Sequence, residues 1–385
     1  MGTYKHLKNL IIVVLTFSLI AAALSGCGGV VSVETDGATG EEVSNNETTE
    51  EKIDIPDEET EEDTEDVSED EDSADQDITI DIKPETEEEE PEEITPSSSK
   101  DVDLIFFMGQ SNMSGCGGDA TQAPTVIQGA GYEYKAVMDP FNLNEIKEPF
   151  GYGEGVVGGI CDAWDGKKGS LVSSFVNEYY KKTGHVVIAV SASAGATSTE
   201  DWLTTGFVTD LSTRMNNAQT YLKDNGYNVM NQYVVWLQGE SDALDGVSFE
   251  EYKSNMDTII RPLFIGGFTK VFVITPGRIK SNSNFFNNII AAQIDMCRTS
   301  GYYALASTML CSVSTSYMVD EWHYNQKVLN LLGEEAADSV AYYTNEKKEM
   351  CVYDYKNDTT YIPEFFDYDD DVTVEKRDIN GILAQ

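Results

Sequence analysis

Histidine is nearly absent from this chain: His6, His185 and His323 are the only three in 385 residues. No cysteine shows metal-type spacing either, so the sequence offers little from which to build a zinc site, and no metal or cofactor is expected. Bases are also scarce, 25 Lys and Arg against 68 Asp and Glu, for a formal charge of −43. Without an excess of cations to neutralise phosphates, nucleic acid is excluded as a partner. A long apolar run is missing as well. The best candidate, residues 10–24, is fifteen residues and would make a helix of about 22 Å, short of the ~30 Å hydrocarbon core.

That short run sits behind Lys5 and Lys8 and ends in Leu24-Ser25-Gly26-Cys27. A positive start, a brief apolar stretch and small residues before a cut describe an export signal rather than a membrane span. The ending resembles a bacterial lipoprotein signal, which implies lipidation of Cys27 and a cell-surface protein anchored to the membrane and facing outward. An ordinary secretory signal with a chance cysteine is the plainer alternative. Between Glu34 and Glu93 stand 30 acids and only Lys52 and Lys83. Such a segment cannot bury enough apolar surface to offset its chain entropy. Residues 28–100 therefore read as a disordered acidic tether, spanning on the order of 45 Å.

The composition changes abruptly at residue 101. Apolar runs at 103–108, 185–192, 232–237, 270–275 and 303–307 read as buried strands. Helical patterns at 171–182, 211–225, 249–264, 284–299 and 326–342 separate or follow them. This alternation predicts an α/β fold, a three-layer α/β/α sandwich around a parallel sheet of about five strands, over residues 101–345. Residues 346–385 form an extension, with a candidate hairpin at 350–362 and a loosely ordered tail from 367. Setting Cys27 aside leaves Cys116, Cys161, Cys297, Cys311 and Cys351, an odd number, most of them read as buried small hydrophobes.

Ligands of an open parallel sheet bind outside the carboxyl ends of its strands. The loops there are Gly109-Gln110-Ser111-Asn112-Met113, Ser193-Ala194-Gly195-Ala196-Thr197 and Gln238-Gly239-Glu240-Ser241-Asp242, with Asp320-Glu321-Trp322-His323 just before the last helix. A serine becomes a nucleophile only beside a base. His6 lies in the signal, and His185 opens a strand at the opposite sheet end, where a surface role suffices. His323 follows Asp320 by three residues, a spacing that lets the carboxylate hold one ring nitrogen while the other takes a proton.

These motifs, in this order, resemble the SGNH hydrolases, and within them the sialate O-acetylesterase and carbohydrate esterase family six branch, which includes acetylxylan esterases. The resemblance implies a serine carbohydrate O-acetylesterase acting on acetylated xylan or sialic acid type substrates through an acyl-enzyme. It implies Ser111 as nucleophile, His323 as base, Asp320 as its orienting acid, and an oxyanion hole from the Ser111 and Gly195 N–H groups and the Gln238 side-chain amide. The second loop departs from the usual Gly-Gly-Ser/Thr. Gln110, Asn112 and Glu240 are expected to support the site, Glu240 by bracing the loop of Gln238. Trp202 and Trp322 are placed to meet a sugar face, or else to pack between helices.

Three decoys compete. Ser191-Ala192-Ser193-Ala194-Gly195 mimics a nucleophile elbow, but residues 196–201 read as a loop where that motif needs a helix. Gly151, Gly153, Gly155, Gly158 and Gly159 suggest a phosphate loop, yet no strand precedes them, and a flexible loop over the site is the better expectation. Glu240 and Asp242 suggest a glycosidase pair but share one loop. The rival from another class is a non-catalytic, tethered carbohydrate-binding protein of the same fold.

Overall fold

Alternate residues of the first strand enter different cores, and this divides the domain into layers. Leu104, Phe106 and Met108 join one apolar cluster, whereas Ile105 and Phe107 join the other. In the computed structural model, which describes residues 100–162, 166–369 and 371–385, this strand is β1 (Asp101–Gly109) at the centre of a seven-stranded sheet. The signal, the Cys27 anchor and the acidic segment lie outside the described residues. The other strands are β2 (Gly131–Lys135), β3 (Asp139–Glu145), β4 (Val186–Ser193), β5 (Asn228–Leu237), β6 (Lys270–Ile274) and β7 (Tyr303–Ser307), in the spatial order β3-β2-β4-β1-β5-β6-β7. Every pairing is parallel except β2 with β3.

All five expected strands are present, and two unexpected ones extend the sheet. β2 and β3 are polar in sequence and lie at one edge; β3 is partly exposed throughout, Phe141 most of all. The longer helices are α2 (Val172–Thr183), α4 (Phe207–Asp224), α6 (Phe249–Ile265), α7 (Asn287–Thr299) and α8 (Gln326–Glu346). Phe107 meets Phe175 of α2 edge-on at 5.1 Å on one face, and on the other Phe106 shares its cluster with Leu211 and Met215 of α4 and Ile259 of α6. Helices thus cover both faces, which is the three-layer α/β/α arrangement.

The C-terminal extension is better ordered than its composition suggests. β8 (Val352–Asp354) and β9 (Thr359–Tyr361) form the antiparallel hairpin. The tail does not hang loose: Ile379 and Leu383, in a last short helix (Ile379–Leu383), are buried in the core that holds Phe107. None of the five cysteines after Cys27 is disulfide-bonded.

The amino end of the sheet carries a polar knot. Asp103, fully buried, accepts from Tyr179 Oη at 2.6 Å and Asn231 Nδ2 at 2.7 Å, and its Oδ2 pairs with His185 Nδ1 at 2.8 Å. The Asp103 hydrogen bond raises the His185 ring above its ordinary 6.5 against burial and the nearby Lys347, with Asp101 adding to the rise. A raised folded value stabilises the fold below the ordinary imidazole range and loses that contribution as pH climbs through it. The melting advantage of the native chain over His185→Gln should therefore shrink between pH 5.5 and 8.5. A gap that widens with pH would contradict this.

Candidate active site

The chain runs from β1 toward β4 on one side and later crosses to β5 on the other, so a crevice opens at the carboxyl end of β1. Gly109 pairs there with Ser193 on β4 and Leu237 on β5. Its φ is +142°, and a Cβ would fall 1.9 Å from the Leu237 carbonyl oxygen, so only glycine lets the chain turn between its neighbours. The turn delivers Ser111 at the start of the short helix α1 (Ser111–Ser114), where it is mostly buried. Gln110 steadies the turn: its N–H donates to Leu237 O at 3.1 Å, and its Oε1 accepts from Ser241 N at 3.2 Å.

Asp320 and His323 stand on a tight turn closed by a bridge between Met318 and Tyr324 and by Val319 N donating to His323 O at 2.9 Å. Asp320 does two jobs. Its Oδ1 accepts from the N–H groups of Trp322 (2.7 Å) and His323 (2.8 Å), which shapes the turn, while its Oδ2 meets His323 Nδ1 at 2.7 Å. Burial alone would raise this carboxyl, but the His323 ring and the two backbone donors outweigh it and hold it below the ordinary value. The turn docks on the loop after β6 through Lys280 N to Glu321 O (2.9 Å) and Ser281 N to Glu321 Oε1 (2.9 Å).

Asn112 ties the Ser111 and His323 segments together. Its Nδ2 donates to Trp322 O at 3.2 Å and its Oδ1 accepts from Tyr324 N at 3.3 Å, gripping the residues on either side of His323. A Cβ on Gly117 would lie 2.7 Å from His323 Cβ, so the chain just past α1 abuts the histidine. Nδ2 of Asn112 also donates to Glu240 Oε1 at 2.7 Å. Glu240 therefore braces the helix that begins at Ser111, a different partner from the Gln238 loop expected of it. Burial pushes its carboxyl up to about 7, and its Oε2 has no hydrogen-bond partner. Asp242 is equally buried and accepts from Thr199 N at 3.0 Å, so neither carboxyl faces a substrate as a glycosidase pair would.

The β4 loop brings Gly195 to Ser111: a Cβ on Gly195 would sit 3.6 Å from Ser111 Cβ. Its N–H, however, already donates to the Asp162 carboxylate. Gln238 departs further from expectation. Its Nε2 is engaged by Thr197 O (2.9 Å) and the Asp242 carboxylate, and its Oε1 accepts from Tyr252 Oη (3.1 Å). Both amide hydrogens are taken, so in this arrangement Gln238 supports the β4 and β5 loops rather than donating to an oxyanion.

Ser193 is buried between Ser114 Oγ (2.8 Å), Lys167 Nζ (3.1 Å) and Asp162. Among the described residues its basic neighbour is Lys167, which is ion-paired with Asp162 at 3.0 Å and donates to Ser193 rather than taking a proton from it. A helix, α3 (Thr199–Thr204), does follow where a loop was expected, capped by Ser198 and Asp201, but it starts six residues beyond Ser193. Cys116 donates its N–H to Ser111 O (3.0 Å), yet burial pushes its thiol up to about 12, which leaves it inert.

Trp202 is not at the mouth of the site. It is fully buried, edge-on to Trp236 at 5.3 Å and to Phe207 at 5.4 Å. Trp322 is half-buried against Phe285 and Phe286. The glycine-rich segment is pinned rather than loose: Gly151 N donates to Glu133 at 3.0 Å, and Glu154 accepts from Val137 and Met138 N–H, each at 3.0 Å. Among the described residues no group of three His, Cys, Asp or Glu side chains could hold a metal ion.

Residues 101–342 match the family model described as carbohydrate esterase, sialic acid-specific acetylesterase. No curated protein matches the sequence. Among solved structures, a protein from Arabidopsis thaliana is similar over 64% of this chain and 99% of its own, at 18% identity and a TM-score of 0.45. NanS is similar over 65% and 99%, at 11% identity and a TM-score of 0.43. The acetylxylan esterase Axe2 from Geobacillus stearothermophilus is similar over 61% and 91%, at 10% identity and a TM-score of 0.34.

Proposed function

The chain belongs to the carbohydrate esterase family of sialic acid-specific acetylesterases, and from that premise we propose that it removes acetyl groups from sugar hydroxyls through an acyl-enzyme on Ser111. It is a carboxylic ester hydrolase. The observation that carries the serine assignment is the Asn112 side chain, one residue from Ser111, hydrogen-bonded to the backbone on both sides of His323. In this reading Ser111 Oγ attacks the acetyl carbonyl as His323 takes its proton. The imidazolium of His323 then gives this proton to the leaving sugar oxygen, which departs as the free hydroxyl, and Asp320 stabilises the imidazolium in between. Water repeats the sequence on the acetyl-serine and releases acetate. The oxyanion falls to the Ser111 and Gly195 N–H groups.

A panel of acetylated xylo-oligosaccharides and acetylated sialic acids, scored for released acetate, tests the reading. Release from at least one class is expected. A folded protein that frees acetate from none would favour a binding protein without turnover.

We also propose that the domain works at the outer face of a membrane, tethered through a lipid on Cys27. Cys27→Ser should move the protein from the membrane fraction to the soluble fraction with esterase activity intact. Retention in the membrane would count against the anchor.

A further inference from the structure

The Asp162 carboxylate is seated on four donors that converge from three segments. Its Oδ1 accepts from Gly195 N–H, and its Oδ2 accepts from Ser114 Oγ at 2.5 Å, Ser193 Oγ at 3.4 Å and Lys167 Nζ at 3.0 Å. The Asp162 and Lys167 side chains are only 4% and 8% exposed. One cation and two hydroxyls thus crowd onto Oδ2, and a backbone N–H meets Oδ1. The backbone segments that carry these side chains are held without Asp162. Ser114 is on α1, Ser193 ends β4, and the chain beside Lys167 is held by Lys168 N to Gly115 O (3.3 Å) and Ala120 N to Lys168 O (2.6 Å).

This constellation adjoins the nucleophile, since a Cβ on Gly195 would lie 3.2 Å from Asp162 Oδ1 and 3.6 Å from Ser111 Cβ. A tetrahedral anion on Ser111 needs the N–H that Asp162 now holds. Two negative charges cannot share that donor, so Asp162 must withdraw for turnover, leaving Lys167 and both hydroxyls without their anion. A buried ammonium without a partner is costly.

We propose that Ser114, Ser193 and Lys167 form a carboxylate-binding subsite beside Ser111, filled by Asp162 in the free enzyme and taken over by a carboxylate from outside the chain, which leaves the Gly195 N–H to the oxyanion. Two sources share this chemistry: the acetate released by hydrolysis, and an acid group on the acetylated sugar. The withdrawal of Asp162 and both sources rest on the esterase reading above; the cluster of donors itself does not.

Thermal melting of the full chain tests the subsite without turnover. Asp162→Ala should melt below the native protein and recover by roughly 3–6 °C in sodium acetate, saturably, against sodium chloride of equal ionic strength. The native chain and the Asp162→Ala/Lys167→Met double variant should show no acetate-specific gain. An equal gain in all three, or none in Asp162→Ala, overturns the proposal. Should Asp162→Ala fail to fold, Asp162→Asn keeps the shape, and acetate should then inhibit p-nitrophenyl acetate hydrolysis at least tenfold more strongly than in the native chain; equal inhibition overturns the proposal. Lys167→Met separates the sources. A tenfold fall in the kcat/KM ratio of acidic to neutral acetylated sugars assigns the substrate, an unchanged ratio with weakened acetate inhibition assigns the product, and no change in either overturns the subsite.

Discussion

Ser111→Ala should lower the rate of acetate release by a factor on the order of 10⁴–10⁶ while leaving the melting temperature close to native. The substitution removes one hydroxyl at the start of α1 and leaves the Asn112 contacts to Glu240, Trp322 and Tyr324 in place, so the site should stay assembled. Ser193→Ala is the matched comparison. Ser193 is the nucleophile of the competing elbow reading, but its neighbours are an ion-paired lysine, a carboxylate and another hydroxyl. It should keep activity within about tenfold of native, because no step at the acyl carbon runs through it. Steady-state release of acetate from a soluble acetyl ester measures both. A reversal of the two losses would move the nucleophile to Ser193.

Asp320→Asn should cost roughly 10³-fold or more in kcat with little change in KM. Asparagine keeps an oxygen for the N–H groups of Trp322 and His323, so the turn should persist. What changes is the other atom. An amide N–H facing His323 Nδ1 requires that nitrogen to accept, which puts the ring proton on Nε2 and leaves nothing there to receive the proton of Ser111. Because KM reflects contacts Asp320 does not make, the loss should appear in kcat. A variant within tenfold of native kcat would show that the turn, rather than the tautomer, is what Asp320 supplies.

Much of this site lies on short motifs at strand ends, and such motifs can be read from the chain alone. The five apolar runs identify the strands because a strand covered on both faces has no polar side to hide its pattern. Ser111, Asp320 and His323 stand out because so few histidines compete. β2 and β3 escaped for the converse reason: Asp139–Glu145 is the edge strand and Gly131–Lys135 lies beside it, and both mix charged and polar residues into their sequence and have no apolar run to betray them. α3 and the short helix Glu240–Asp245 escaped because one turn or two of helix is set by caps and neighbours rather than by periodicity.

By itself, then, the order of motifs determined the fold class and the family, and it singled out Ser111, Asp320 and His323 as the candidate serine, acid and histidine. Only the tertiary structure decided what each supporting polar group touches. Gln238 and Gly195 look like oxyanion donors in the sequence, yet Thr197 from the β4 loop and Asp242 four residues on take the Gln238 amide hydrogens, and Asp162 holds the Gly195 N–H in the free chain. Trp202 looks like a sugar platform until Trp236 and Phe207 enclose it. Nothing in the sequence around Asp162 or Lys167 marks them, because their importance lies in donors from α1 and β4 that meet them across the crevice. A hydrogen-bond donor has few partners to give, and which partner takes it depends on residues tens of positions away.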